Sequence, residues 1–234
     1  MEYSYYHGTS TLFLPSILAN GLGGINPNIK YQTIQLLRHL YFDCEKFLLD
    51  NEEFRKHART TVAMINQESI DIEIDNQVQA FHFRHHVIYV SHHEYTAVKH
   101  AVINKYGSEI VCRLSLLFSL LKSKIQDYQL PNELDKIGLN KIMSKEYQPV
   151  LIKTKPLDHT YLAKEDSKTS KEALELMKAV ERFAPKDTYE LLSQYANFEL
   201  LKPLPPQDLS FFLINYYGEI RKPKSFKYQL NKLV

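Results

Sequence analysis

Short β-forming runs lie far apart along this chain, separated by long stretches of helical period. Tyr3, Tyr5 and Tyr6 open the first run, Val87-Ile88-Tyr89-Val90-Ser91 forms the second, 150–154 the third and 197–201 the fourth. Strands so distant in sequence can pair only after the helices between them have been placed. Those helices are legible. Ile34, Leu37, Leu40, Tyr41, Cys44, Phe47 and Leu48 recur at three- and four-residue steps, the spacing of one helix face. A second helix is expected around 52–64. A third, over 94–106, turns Ala97, Val98, Ala101 and Val102 inward and stops at Gly107. Further helices are expected at about 171–184 and 188–195, and a strand at 109–117 from the β-branched start Ile110-Val111. The βα units lack the rhythm of a doubly wound sheet, so the pattern reads as α+β. The expectation is one domain over 1–234, with a helical insert at about 25–80.

Of the 234 residues, 44% are hydrophobic and 24% charged, an ordinary globular balance that excludes wholesale disorder or coiled coil. Twenty-nine Lys plus Arg against 27 Asp plus Glu leave +2, so no global field points to nucleic acid. The one locally basic stretch, 221–227, reads as a solvated tail. Two cysteines, Cys44 and Cys112, are too few for a disulfide framework, and Cys112 reads as a small core residue. No stretch has the roughly 20 apolar residues of a membrane span, and the N-terminus has no basic-then-apolar leader. The chain is therefore expected in the cytoplasm or to leave by a specialised route, without a membrane partner.

Three passages stand out by their order. The first is Tyr5-Tyr6-His7-Gly8-Thr9-Ser10, with Ile17-Leu18-Ala19-Asn20-Gly21-Leu22 close behind. A turn or cap is expected at His7–Ser10, with Ser10 or Thr11 capping a short helix that Asn20-Gly21 ends. The second is the Tyr89 strand running into the helix of Ala97 and Ala101. The third is Asn197-Phe198-Glu199-Leu200-Leu201, followed by Pro203-Leu204-Pro205-Pro206-Gln207-Asp208-Leu209, where prolines stop the strand.

At these residues the chain resembles the ADP-ribosyltransferase superfamily, in its branch with a His-Tyr-Glu triad that includes the poly(ADP-ribose) polymerases and diphtheria-toxin-like enzymes. The resemblance touches some forty residues and leaves the intervening helices unmatched. It implies a split two-sheet core with added helices, NAD as co-substrate, and His7, Tyr89 and Glu199 as catalytic residues. It also implies a cofactor pocket of His7, Gly8, Thr9, Ser10, Tyr89, Ser91 and His100, without a metal. ADP-ribose would pass to a macromolecule, a protein side chain before a nucleic acid, and a compact stand-alone transferase would suit a bacterial effector or toxin. Rival readings are transfer to nucleic acid or an RNA 2′-phosphate, and a silent module that binds NAD or ADP-ribose.

The residue types suit that chemistry. Breaking the nicotinamide–ribose bond passes through a sugar cation and expels a neutral leaving group. The site then needs a carboxylate near the developing charge (Glu199), a partner for a ribose hydroxyl (His7) and a flat face for the nicotinamide (Tyr89). Gly8 would let its backbone approach the carboxamide, and Thr9 or Ser10 would meet the adenosine-side ribose. Each also has a structural reading: His7 as a strand-end histidine, Tyr89 as a core aromatic, Glu199 as a solvent-facing edge residue. Two positions depart from the family. The second stacking tyrosine, eleven residues after the first, falls on His100, with Tyr95 as a substitute, and Asn197 stands where arginine-modifying relatives carry Glu. Glu190, nine residues before Glu199, is not expected to replace it. His82, His85, His86, His92 and His93 crowd one region without a zinc-site spacing, and read as strand-flanking residues. Arg84 beside them could meet the NAD pyrophosphate.

Overall fold

A computed structural model describes residues 3–74, 77–164, 170–185, 188–189, 193, 196–220 and 225–233. In chain order it runs Tyr6–Ser10 (β1), Leu14–Asn20 (α1), Pro27–Lys30 (α2), Thr33–Phe47 (α3) and Glu52–Asn66 (α4). Then follow Ser69–Ile74 (β2), Gln77–His82 (β3), Tyr89–Ser91 (β4), Glu94–Ile103 (α5), Glu109–Lys124 (α6) and Leu139–Met143 (α7). Pro149–Thr154 (β5), Leu162–Lys164 (β6), Ser170–Phe183 (α8), Asn197–Leu200 (β7), Leu209–Tyr217 (β8) and Lys227–Lys232 (β9) complete it. The architecture is α+β. Among the described residues no helix is long and apolar enough to cross a membrane.

The chain divides into two compact units, 1–25 with 87–108 and 147–234, and 26–86 with 109–146. The first holds a seven-stranded antiparallel sheet of order β6-β7-β4-β1-β5-β8-β9. Where two sheets were expected, the strands follow one hydrogen-bonded order. Its thinnest join is β1 to β4, which share the single registered pair Tyr6↔Ser91, whereas β1 pairs β5 from Tyr6↔Lys153 to Ser10↔Pro149. That long pairing is why β1 continues through His7–Ser10 instead of turning there. Helix α5 covers one face, its Ala97, Val98 and Ala101 packing with Leu151, Ile214, Phe226 and Tyr6. Helix α1 starts without a side-chain cap, Ser10 Oγ accepting from Leu12 N–H instead, and it ends as expected at Gly21, whose φ is +79°. Helix α8 matches the expected 171–184, turning Ala173, Leu174 and Met177 inward. Most of the helix expected at 188–195, with Glu190 and the basic residues 221–224, lies outside the described residues.

The second unit is mostly helical. Asn51 caps α4 by accepting from Phe54 N–H at 2.9 Å, with Glu52 and Glu53 in the first turn where the helix dipole favours them. The helical insert expected at about 25–80 contributes α2, α3 and α4, then ends in the hairpin β2–β3. The same unit takes in α6, over which a strand was expected at 109–117. Ile110, Val111, Leu114, Leu117, Phe118 and Leu121 are all buried, a helical repeat that packs on Leu36, Leu37, Leu40 and Cys44 of α3. The β-branched opening of the segment is overridden by sixteen residues of helical period. Cys44 is thus the buried core cysteine and Cys112 only partly covered. On this packing Leu114→Ala should cost about 3 kcal/mol and half-buried Leu116→Ala less than about 1.5 kcal/mol in urea unfolding. A strand would not separate the two leucines in this way, and equal costs would overturn the helical assignment.

Candidate functional site

Sheet order sets β7, β4 and β1 side by side, and these are the strands of Glu199, Tyr89 and His7. Tyr89 pairs directly with Glu199, which on its other side pairs with Ala163 of β6. Directly opposed residues of an antiparallel pair share a face. Their neighbours Val90 and Phe198 are buried at 1% and 0% exposure, while Tyr89 and Glu199 are half-buried on the other face. Among the described residues no hydrogen bond or ion pair ties down the Glu199 carboxylate.

His7 joins this pair through the seam between β1 and β4. Its Nδ1 lies 2.7 Å from the Tyr89 carbonyl oxygen, linking residues 82 apart in sequence. A carbonyl only accepts, so Nδ1 carries the hydrogen and Nε2 keeps a lone pair. Burial pushes the imidazole down to about 4, against the pull of the Tyr89 carbonyl and with a small push from His100. Near neutral pH the ring is therefore uncharged, with a donor fixed to the main chain and an acceptor left for a hydroxyl.

The other expected pocket residues divide differently. A Cβ on Gly8 would stand 2.0 Å from Ala97 O and 3.0 Å from Ala101 N, so the missing side chain seats α5 against β1. Thr9 and Ser10 are buried at 2% and 0%, with Thr9 Oγ1 donating to Gly107 O at 3.5 Å and Ser10 Oγ occupied by Leu12 N–H. Their hydroxyls hold the chain rather than face a ligand. Ser91 is also buried, and its Oγ accepts from His93 N–H at 3.2 Å. His100 is exposed on α5 and its Nδ1 donates to Gly8 O at 3.2 Å. Tyr95 packs its ring 6.1 Å from Phe226 and 6.4 Å from Tyr228, which commits it to the core under α5 rather than to a second stacking face. Asn197 pairs with Ser91 at the far end of β4.

The crowded histidines separate as well. His82, His85 and Arg84 belong to the helical unit, where His82 Nδ1 meets Ser69 Oγ and the His85 carbonyl accepts from the Asn26 and Asn28 amides. His86 is in that unit too, whereas His92 and His93 follow β4 in the first. Among the described residues no group of three His, Cys, Asp or Glu side chains is placed to hold a metal ion. A recess of about 350 Å³ opens where β8 runs past the start of β5, between Tyr147–Pro149 and Ile214–Tyr217, two strands from β1.

Reading the sequence missed the His7–Tyr89 main-chain bond and the true use of Gly8. The second had a signal, since Ala97 and Ala101 are small residues one helical turn apart, as close packing of a helix on a strand requires. No protein-family model matches the chain, and no curated protein or solved structure is significantly similar to it.

Proposed function

We propose that the first unit is an NAD-dependent ADP-ribosyltransferase, cleaving the nicotinamide–ribose bond and transferring ADP-ribose to a macromolecular acceptor, a protein side chain. The observation that carries this reading is the placement of His7, Tyr89 and Glu199, far apart in sequence, on three adjacent strands, with Tyr89 and Glu199 in register and the His7 ring bonded to the Tyr89 main chain. In the reaction the C–N bond to nicotinamide breaks with its electron pair leaving on the neutral base, and the ribose carbon gains positive charge. Glu199 supplies the carboxylate that meets this charge, and Tyr89 gives the nicotinamide a stacking face. His7 Nε2 accepts from a ribose hydroxyl, and the acceptor nucleophile closes on the ribose carbon as it releases its proton.

Purified protein incubated with NAD labelled in its adenylate part and a cell lysate should transfer label to protein and release nicotinamide in equal amount. NAD binding without nicotinamide release would reduce the unit to a binding module, and absence of binding would overturn the reading. His7 gives a further expectation. His7→Ala should weaken NAD binding about threefold to tenfold, the range of one neutral hydrogen bond. In wild type the His7 ring should titrate near 4, not at the usual 6.5. The acceptor lone pair then persists through mildly acidic pH and is lost only as pH falls through that value. An imidazole NMR titration reads this directly, and a midpoint near 6.5 would contradict the half-buried, carbonyl-bonded ring.

A further inference from the structure

Beyond the end of β4, His92 sits in a cluster that the proposed chemistry does not use. Its ring is 8% exposed and lies 4.7 Å from the Tyr3 ring and 5.8 Å from that of Tyr5. Nε2 is 2.8 Å from Tyr189 Oη, the two rings standing at 90°. Tyr3 Oη donates to Glu181 Oε2 at 2.8 Å, so the last turn of α8 is tied to the same cluster. Two buried polar atoms in it, His92 Nδ1 and Tyr5 Oη, find no hydrogen-bond partner among the described residues.

We propose that His92 is an acid-released latch that holds Tyr189 and the C-terminal turn of α8 against the segments that precede β1 and follow β4. The neutral ring needs one donor and one acceptor, so a single bond to Tyr189 satisfies it apart from a bare nitrogen. A second proton would make both ring nitrogens donors, with no acceptor for Nδ1 among the described residues, and would bury a charge among tyrosines. The titratable groups facing the ring among the described residues are Tyr3 and Tyr5 ahead of β1, Glu181 from α8, Tyr189, and His93 beside it in sequence. Burial lowers the His92 pKa from 6.5, the Glu181 carboxylate opposes this, and His93 adds to it. A docked state that binds the proton less tightly than the released one loses stability as pH falls below the released value. The docking constant should therefore drop by up to about tenfold per pH unit below 6.5. His92 N–H also donates to Ala196 O at 2.9 Å, so the latch stands at the entry to β7.

The chain has no tryptophan, so Phe183→Trp, at a position 77% exposed at the end of α8, gives a single reporter. Its fluorescence anisotropy should be high at pH 7.5 and fall toward pH 5. In the same background Tyr189→Phe, which keeps the ring and deletes the hydroxyl, should already be low at pH 7.5 and show no step. His92→Gln should give a pH-independent signal whether docked or released, with circular dichroism confirming that both variants fold. A step that survives unchanged in either variant, or no step in the Phe183→Trp protein, would overturn the latch. None of these outcomes depends on NAD chemistry.

Discussion

Glu199→Gln should lower ADP-ribose transfer about 10²- to 10³-fold while changing NAD affinity by less than about threefold. The substitution keeps the size, removes the charge and replaces one accepting oxygen with a donating amide. In the ground state the positive charge sits on the nicotinamide ring and moves onto the ribose carbon only as the bond breaks, so binding should respond far less than rate. In the transition state that carbon is cationic, and the missing charge raises the barrier by about 3–4 kcal/mol. Glu199 sits in the middle of β7 with paired strands on both sides, so its backbone cannot drift to compensate. The measurements are single-turnover nicotinamide release and equilibrium NAD binding on the same preparations. Equal transfer by the variant would remove Glu199 from the chemistry. A parallel loss of binding and rate would make it a ground-state contact instead.

The same strand shows what the sequence could and could not convey. Asn197–Leu200 is a strand because Phe198 and Leu200 alternate with Asn197 and Glu199, a period legible in four residues. The partner is not legible, because pairing Glu199 with Tyr89 is settled by a fold closed over more than a hundred residues. Helix α5 could be read from Ala97, Val98 and Ala101, whose period lies within one stretch, though it ends at Ile103, ahead of the expected stop at Gly107. Over 109–117 the local run Ile110-Val111-Cys112 suggests a strand, and only the longer repeat through Leu121, buried against α3, decides for helix. At His7–Ser10 the error runs the other way. Gly8 and Ser10 look like punctuation, but β5 pairs with every residue of that segment and keeps it extended. Candidate site residues were therefore legible as types in an order, and their contacts were not. Thr9, Ser10 and Ser91 carry hydroxyls suited to a sugar, yet burial turns all three inward.

Gly8 separates a glycine that seats a helix from one that makes room for a ligand, and Gly8→Ala is the substitution with the largest expected effect on the fold. The added methyl would meet Ala97 O at 2.0 Å, Ala97 C at 2.9 Å and Ala101 N at 3.0 Å, all main-chain atoms of α5. No side-chain rotation can clear them, and truncating a neighbour cannot rescue the variant, so the helix must lift from β1. Lifting it opens the cluster of Ala97, Val98 and Ala101 on Leu151 and Ile214, and pulls His100 from its bond to Gly8 O. Overpacking that displaces backbone should cost about 3 kcal/mol, or roughly 6–12 °C in Tm for a chain of this size. Gly138 provides the control. It has φ +72° but nothing within 4 Å of its ideal Cβ, so Gly138→Ala pays only the left-handed backbone cost of about 1 kcal/mol. Thermal melts of both variants, with NAD binding measured where each is still folded, distinguish the roles. If Gly8→Ala melts like wild type but no longer binds NAD, the glycine serves the ligand and the packing account fails. A large loss of Tm with binding retained by the folded fraction assigns Gly8 to the seat of α5, and leaves recognition to the His7 ring one residue before it.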